Sequence, residues 1–162
     1  MDRIEHAPLP KLTEVCTDEA EVLALTITRF IAAGYMTQDV ACWDAGHQCA
    51  EEALGFVNGP QLVAAMAGVM RALRVERQGP WQFMPATCCR VTQDEVSLLT
   101  ALTQARVADA TALATSMRVL TGQDEAPRLT AALRAAAETL QCLGPSLAAA
   151  SSPRPTMPTT LH

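Results

Sequence analysis

Two adjacent thiols, Cys88 and Cys89, followed at once by Arg90, are the residues of this chain best suited to chemistry. A guanidinium beside a thiol favours the thiolate, which is both the nucleophile and the metal-binding form. The pair also stands just before a helix-start signal, Thr92-x-x-Glu95, and the positive end of a helix dipole pushes the same way. Two chemistries use such a pair. One is thiol redox exchange. The other is a metal site in which a transition metal such as zinc or iron is held by Cys88 and Cys89 with help from His47 and Cys49. Cys42 is a further thiol near Cys49, but on one helix the two lie about 10.5 Å apart along the axis, and two ligands each about 2.3 Å from one zinc must be much closer. The competing reading is that the two thiols pack in a loop, because a buried free cysteine is a small hydrophobe.

A second constellation is Asp44, His47 and Glu51, which share one face of a helix at i, i+3 and i+7. Carboxylate-x-x-His is half of a di-iron bundle site, and the second half is missing, since the other histidines are His6 and His162 near the two ends. An ordinary helix face with His47 beside a carboxylate accounts for the same residues. A Cys–His catalytic pair, Cys49 or Cys88 with His47, is the enzymatic alternative. A third group is Trp81, Phe83 and Met84, next in sequence to Arg71, Arg74 and Arg77. Trp and Arg are common anchors of protein interfaces, and apolar bulk on a loop marks a partner site unless it folds back as the lid of a core. No phosphate-cradling glycine loop, nucleophile elbow or His-rich metal motif occurs.

These residues need elements to position them, and the sequence reads as helices throughout. The 162 residues suffice for one domain with a real core. Hydrophobic residues make up 49% but aromatics only 4%, so the apolar content is chiefly Ala, Leu and Val, without aromatic or β-branched runs of strand length. A first helix is expected from Thr17 or Asp18 to Gly34, with Leu23, Ile27, Phe30 and Ile31 on one face. A second runs from Thr37 as N-cap to Leu54, ended by Gly55, and carries a stripe of small residues, Cys42, Gly46, Cys49 and Ala53, where another helix can come close. A third follows Asn58-Gly59-Pro60, with Leu62, Met66, Val69, Met70 and Leu73 inward. A non-periodic loop of about 79–91 interrupts the pattern. Thr92 and Glu95 then form a capping box with Val91 and Val96 as its hydrophobic staple. Helix continues to Thr121, either unbroken or broken near Val107 to Asp109. A last helix begins near Asp124 and stops at Gly144-Pro145. Leu9 and Leu12 are expected to dock an N-terminal arm.

The fold expected is therefore all-α, a compact bundle of five or six helices around a long central loop. Residues 1–145 form one helical domain, and 146–162 a flexible tail rich in Pro, Ser and Thr that includes Pro155-x-x-Pro158. A net charge of -5 speaks against a nucleic-acid partner. The first residues lack the apolar core of a secretory signal, and no apolar run reaches about 18 residues, so a cytoplasmic protein with no membrane partner is expected. With six cysteines in no disulfide or zinc-ribbon spacing, free thiols are expected. In function the leading reading is a non-enzymatic interaction or regulatory protein that associates with a protein partner or with itself as a homodimer, through Trp81, Phe83, Met84, Arg71, Arg74 and Arg77. The alternative is a thiol redox or metal-binding protein centred on Cys88 and Cys89.

Overall fold

The computed structural model describes residues 8–151. Within them the chain forms α1 (Leu12–Val15), α2 (Glu19–Thr37), α3 (Val40–Glu76), α4 (Gln93–Arg106), α5 (Ala110–Thr121) and α6 (Pro127–Ser151). The class is all-α: six helices and no strand among the described residues, beyond an isolated bridge from Lys11 to Arg90. His6 and His162 lie outside the described residues, as do 152–162 of the expected tail and its Pro155–Pro158 pattern. One core joins α2, α3, α4, α5 and α6 through Leu23, Ile27, Ile31, Leu62, Met66, Leu73, Leu98, Leu102, Leu120, Leu133 and Leu140.

α2 starts as expected, with the Asp18 carboxylate accepting from the Glu21 N–H at 2.9 Å. It does not stop at Gly34. It runs on to Thr37 and closes at Gln38, which is left-handed (φ 56°, ψ 27°) and donates its N–H to the Gly34 carbonyl. Gly34 is bare for a different reason: a Cβ there would fall 2.5 Å from Trp43 Nε1. The glycine is the seat of a tryptophan from the next helix, and Trp43 in turn meets Tyr35 edge-on at 5.1 Å. Asp39, not Thr37, caps α3, because Thr37 is already the last residue of α2. The small-residue stripe does bring helices together: a Cβ on Gly46 would lie 3.2 Å from Phe30 Cβ.

The expected boundary at Gly55 is a sharp fold inside α3. Gly55 has φ 82° and ψ 173°, a region that only glycine occupies without strain. The chain turns back at once, so that a Cβ on Gly59 would lie 2.8 Å from the Ala50 backbone. α3 is thus two limbs, residues 40–54 and 56–76, meeting at a one-residue corner. The second limb begins before Pro60 and not at it, leaving Pro60 near the start of that limb. By length and composition α3 is the one helix among the described residues apolar enough to cross a membrane, yet Leu62, Met66 and Leu73 on it belong to the core of the bundle.

The capping box at Thr92 and Glu95 forms as expected, and Val91 and Val96 join Leu25, Leu99, Leu12 and Val15 in a small second cluster. Leu12 thereby docks the arm, while Leu9 stays exposed. The long pattern after Thr92 breaks where its apolar stripe thins: Ala108 is left-handed (φ 57°) and Asp109 caps α5 through the Ala112 N–H. α6 opens at Pro127, not near Asp124, because a distant carboxylate does the capping. Glu76 at the end of α3 accepts from the N–H groups of Arg128 and Leu129 at 2.9 and 2.8 Å. The stop expected at Gly144-Pro145 does not act. The helix runs through to Ser151 over Ala148, Ala149 and Ala150, residues of the highest helix propensity.

Candidate functional site

The central loop is held by two arginines, neither of which acts as a surface cation. Arg29 lies in the middle of α2 and is 1% exposed; Glu95 in the first turn of α4 is 0% exposed. Arg29 Nε donates to Glu95 Oε1 at 2.7 Å and Nη2 to Oε2 at 3.0 Å. Its remaining reach goes to loop backbone: Nη1 to the Cys88 carbonyl at 2.7 Å and Nη2 to the Arg90 carbonyl at 2.6 Å. Glu95 also accepts from the N–H groups of Met84 and Thr92. A buried ion pair is tolerable only when its remaining donors and lone pairs are satisfied, and here loop backbone satisfies them. Arg77 fastens the other end. It reaches Asp94 at 2.9 Å and the carbonyls of Pro80 and Leu120, while Asp94 accepts from the Gln82 N–H. The loop is a built part of the bundle.

The residues singled out by their chemistry fall at separate places on this frame. Cys88 is half-buried and Cys89 exposed, and both are free thiols. The Arg90 guanidinium donates to the Leu9 carbonyl at 2.8 Å, while the Arg90 backbone N–H reaches Cys88 Sγ at 3.4 Å. Cys49 packs against the main core from the first limb of α3, where burial and then the Glu52 carboxylate push its thiol up. His47 is half-buried and has no hydrogen bond or ion pair among the described residues. No three His, Cys, Asp or Glu side chains among the described residues are grouped to hold a metal, so Cys88, Cys89, Cys49 and His47 do not form such a group. Cys16, not singled out by the sequence, is the most perturbed thiol: burial, then the neighbouring Glu21 carboxylate, raises it to about 11.

Trp81 and Phe83 fold back onto the main core, which is the lid arrangement. Arg77 lies over the Trp81 ring at 5.5 Å, and Arg74 lies over the Tyr35 ring at 4.0 Å. Arg71 and Arg74 are exposed and have no carboxylate partner among the described residues. The large apolar residues left in the open are elsewhere: Leu9, Met36, Val40, Val107 and Val119 at scattered places, and three on the second limb of α3. Phe56 is 85% exposed and Val57 74%, just past the Gly55 corner, and Val75 is 63% exposed at the far end of the same limb. Along the outer face of that limb Val57, Gln61, Ala64, Gly68, Arg71 and Val75 recur at alternating steps of four and three residues. Gly68 has open space where a side chain would stand.

Sequence reasoning misses Arg29 and the exposed face. No local signal existed for the first: at helical spacing Arg29 shares a stripe with Asp18, Val22, Thr26 and Ala33, which reads as a water-facing side. None existed for the second, because the apolar content of a helix does not say how many neighbours cover it. Set against known protein families, characterised proteins and solved structures, the chain matches none.

Proposed function

We propose that this chain is a small helical interaction protein that works as a homodimer, with the outer face of the second limb of α3 as its seam. The observation that carries the reading is the apolar bulk left in water on that limb: Val57 is 74% exposed and Val75 63%, with Phe56 85% exposed beside the corner. Apolar surface left in water is unfavourable in proportion to its area, so such a helix is completed by association.

The order of residues on the face favours a second copy as the partner. Val57 and Val75 are equidistant from Met66; so are Gln61 and Arg71, and so are Ala64 and Gly68. An antiparallel two-fold pair centred beside Met66 therefore sets valine on valine, a polar amide on a guanidinium, and two small residues on each other where the axes must come closest. Gly68 adds support. A glycine in mid-helix costs about 1 kcal/mol relative to alanine, and nothing within the chain requires it there. Close approach by another helix gives it a purpose.

Light scattering coupled to size exclusion tests the reading. The unmodified chain is expected to run as a dimer, and Gly68→Leu, which places bulk at the crossing point, as a folded monomer by circular dichroism. A monomeric unmodified chain, or a dimer indifferent to Gly68→Leu and Val57→Glu, overturns the seam. So does co-sedimentation of the monomer with lipid vesicles, which would transfer this face to a membrane surface.

A further inference from the structure

The N-terminal arm is fastened to the central loop at the residues that carry and directly follow the two adjacent thiols. The Leu12 N–H donates to the Cys89 carbonyl at 2.8 Å, the Val91 N–H to the Pro10 carbonyl at 3.0 Å, and the Arg90 guanidinium to the Leu9 carbonyl at 2.8 Å. Beneath this seam Leu12 and Val15 of the arm pack on Leu25, Val91 and Leu99, which are all buried. The carbonyl one residue earlier, that of Cys88, accepts from Arg29 Nη1 at 2.7 Å. Both thiols are free; Cys89 is exposed and Cys88 half-buried. Cys88 Sγ leans forward over its neighbour, since it accepts from the Arg90 N–H at 3.4 Å. An amide nitrogen lies about 2.4 Å from the preceding Cα, which puts Cys88 Sγ within about 6 Å of the Cys89 Cα.

We propose that Cys88 and Cys89 are a redox latch: oxidation by a small disulfide joins their sulfurs and releases the arm from the loop. The exposed Cys89 thiolate attacks the small disulfide, forming a mixed disulfide and freeing one thiol. Cys88 then attacks Cys89 Sγ, which closes the bond between the two cysteines and frees the second thiol. The protein loses two protons and two electrons, and the small disulfide takes them up as it is cleaved. Closing this ring requires backbone movement. Adjacent Cα atoms are about 3.8 Å apart across a trans peptide, below the roughly 4.4 Å at which disulfides begin. The peptide between the two cysteines must therefore turn, and its carbonyl is the one that Arg29 holds. Turning it also swings Cys89, whose own carbonyl holds Leu12. A strained, exposed disulfide is easily reduced again, which suits a reversible latch and not a structural bridge. Release uncovers Leu25 and Leu99 on α2 and α4, whereas the proposed dimer seam is on α3, so the latch does not rest on that seam.

The test treats the reduced full chain with oxidised glutathione and follows it by intact mass, peptide mapping and amide hydrogen exchange. The expected product has lost two hydrogens, and the new bond maps to Cys88 and Cys89. In that product the Leu12 and Val91 amides should exchange about tenfold faster, while those of Leu133 and Ala136 in the core of α6 stay as slow as before. A reductant should restore the protection. Cys89→Ser, which cannot close the ring, should keep its arm protected under the same treatment. Four results would each overturn the proposal. They are a reaction that stops at mixed disulfides or joins other cysteines, unchanged Leu12 and Val91 exchange in the mapped product, an equal loss of protection in α6, and a released arm in Cys89→Ser.

Discussion

The central loop and the Gly55 corner both reverse the chain, and they do so by opposite means. The loop spends the residues between Arg77 and Thr92 on the task and is held by side chains from far away in sequence, Arg29 above all. The corner spends one residue, Gly55, whose positive φ turns the chain, and the two limbs are then packed together where Gly59 meets the Ala50 backbone. Their apolar residues are also reversed. The loop, where exposure would be expected, turns Trp81 and Phe83 inward onto the core. The corner, inside a helix, turns Phe56 and Val57 outward. The contrast teaches that exposure follows from what surrounds a segment and not from its being loop or helix. A loop long enough to bend back finds a core; a helix limb has one face that must look away from it.

The loop is most easily undone at Arg29. Truncation to Ala leaves Glu95 buried without its cation and frees the Cys88 and Arg90 carbonyls. Removing one partner of a buried pair costs about 3–5 kcal/mol, so urea denaturation of Arg29→Ala should show a loss of that order. Arg29→Met combined with Glu95→Met should recover part of it. Equal losses in the single and double variants would mean that the backbone contacts, not the pair, hold the loop.

At the corner the expected effects are smaller. Gly55→Ala meets no atom, so its penalty is backbone strain alone, about 1–3 kcal/mol. Gly59→Ala instead drives a Cβ into the Ala50 backbone and should cost a similar amount, about 1–3 kcal/mol, by overpacking. Thermal melts of both separate strain from contact: a double variant much less destabilised than the sum would show that relaxing the corner also relieves Gly59. Smaller still is Gly68→Ala. In an isolated chain it should stabilise the second limb by up to about 1 kcal/mol through helix propensity. If a second helix crosses at Gly68, the same change should raise the dimer dissociation constant, and these opposite signs are measurable in one sample set.

The thiols give the smallest expected effect. Cys16 is shifted from its ordinary value, about 9, to about 11. Between those pH values the unfolded chain has released its proton while the folded chain holds it, so stability declines as pH rises through that window. Below about pH 9 the contribution is fully present. Cys16→Ala should flatten that alkaline slope in denaturation at fixed salt; an unchanged slope would assign it to another group. At pH 8 a soft alkylating reagent should label exposed Cys89 and Cys142 well before Cys16, read by peptide mass spectrometry.

What the chain determined by itself is what depends on neighbours in sequence. The helix class, the capping box at Thr92 and Glu95, the stop at Gly122 and the helix end at Gly55 all rest on local propensity, capping bonds or a single residue's allowed φ and ψ, whereas the same local signals left the break before Asp109 open. The remaining features depend on partners brought from elsewhere in the chain. Gly34 reads locally as a terminator and is in fact the space for Trp43. The start of α6 is placed by Glu76, about fifty residues earlier. The thiols of the loop read locally as a reactive pair, but their surroundings are set by Arg29 taking their backbone and by Arg90 turning to Leu9. Local bonds are encoded by spacing, which a sequence displays. Packing vacancies, long-range caps and uncovered faces are encoded by the meeting of surfaces, which exists only once the chain has folded.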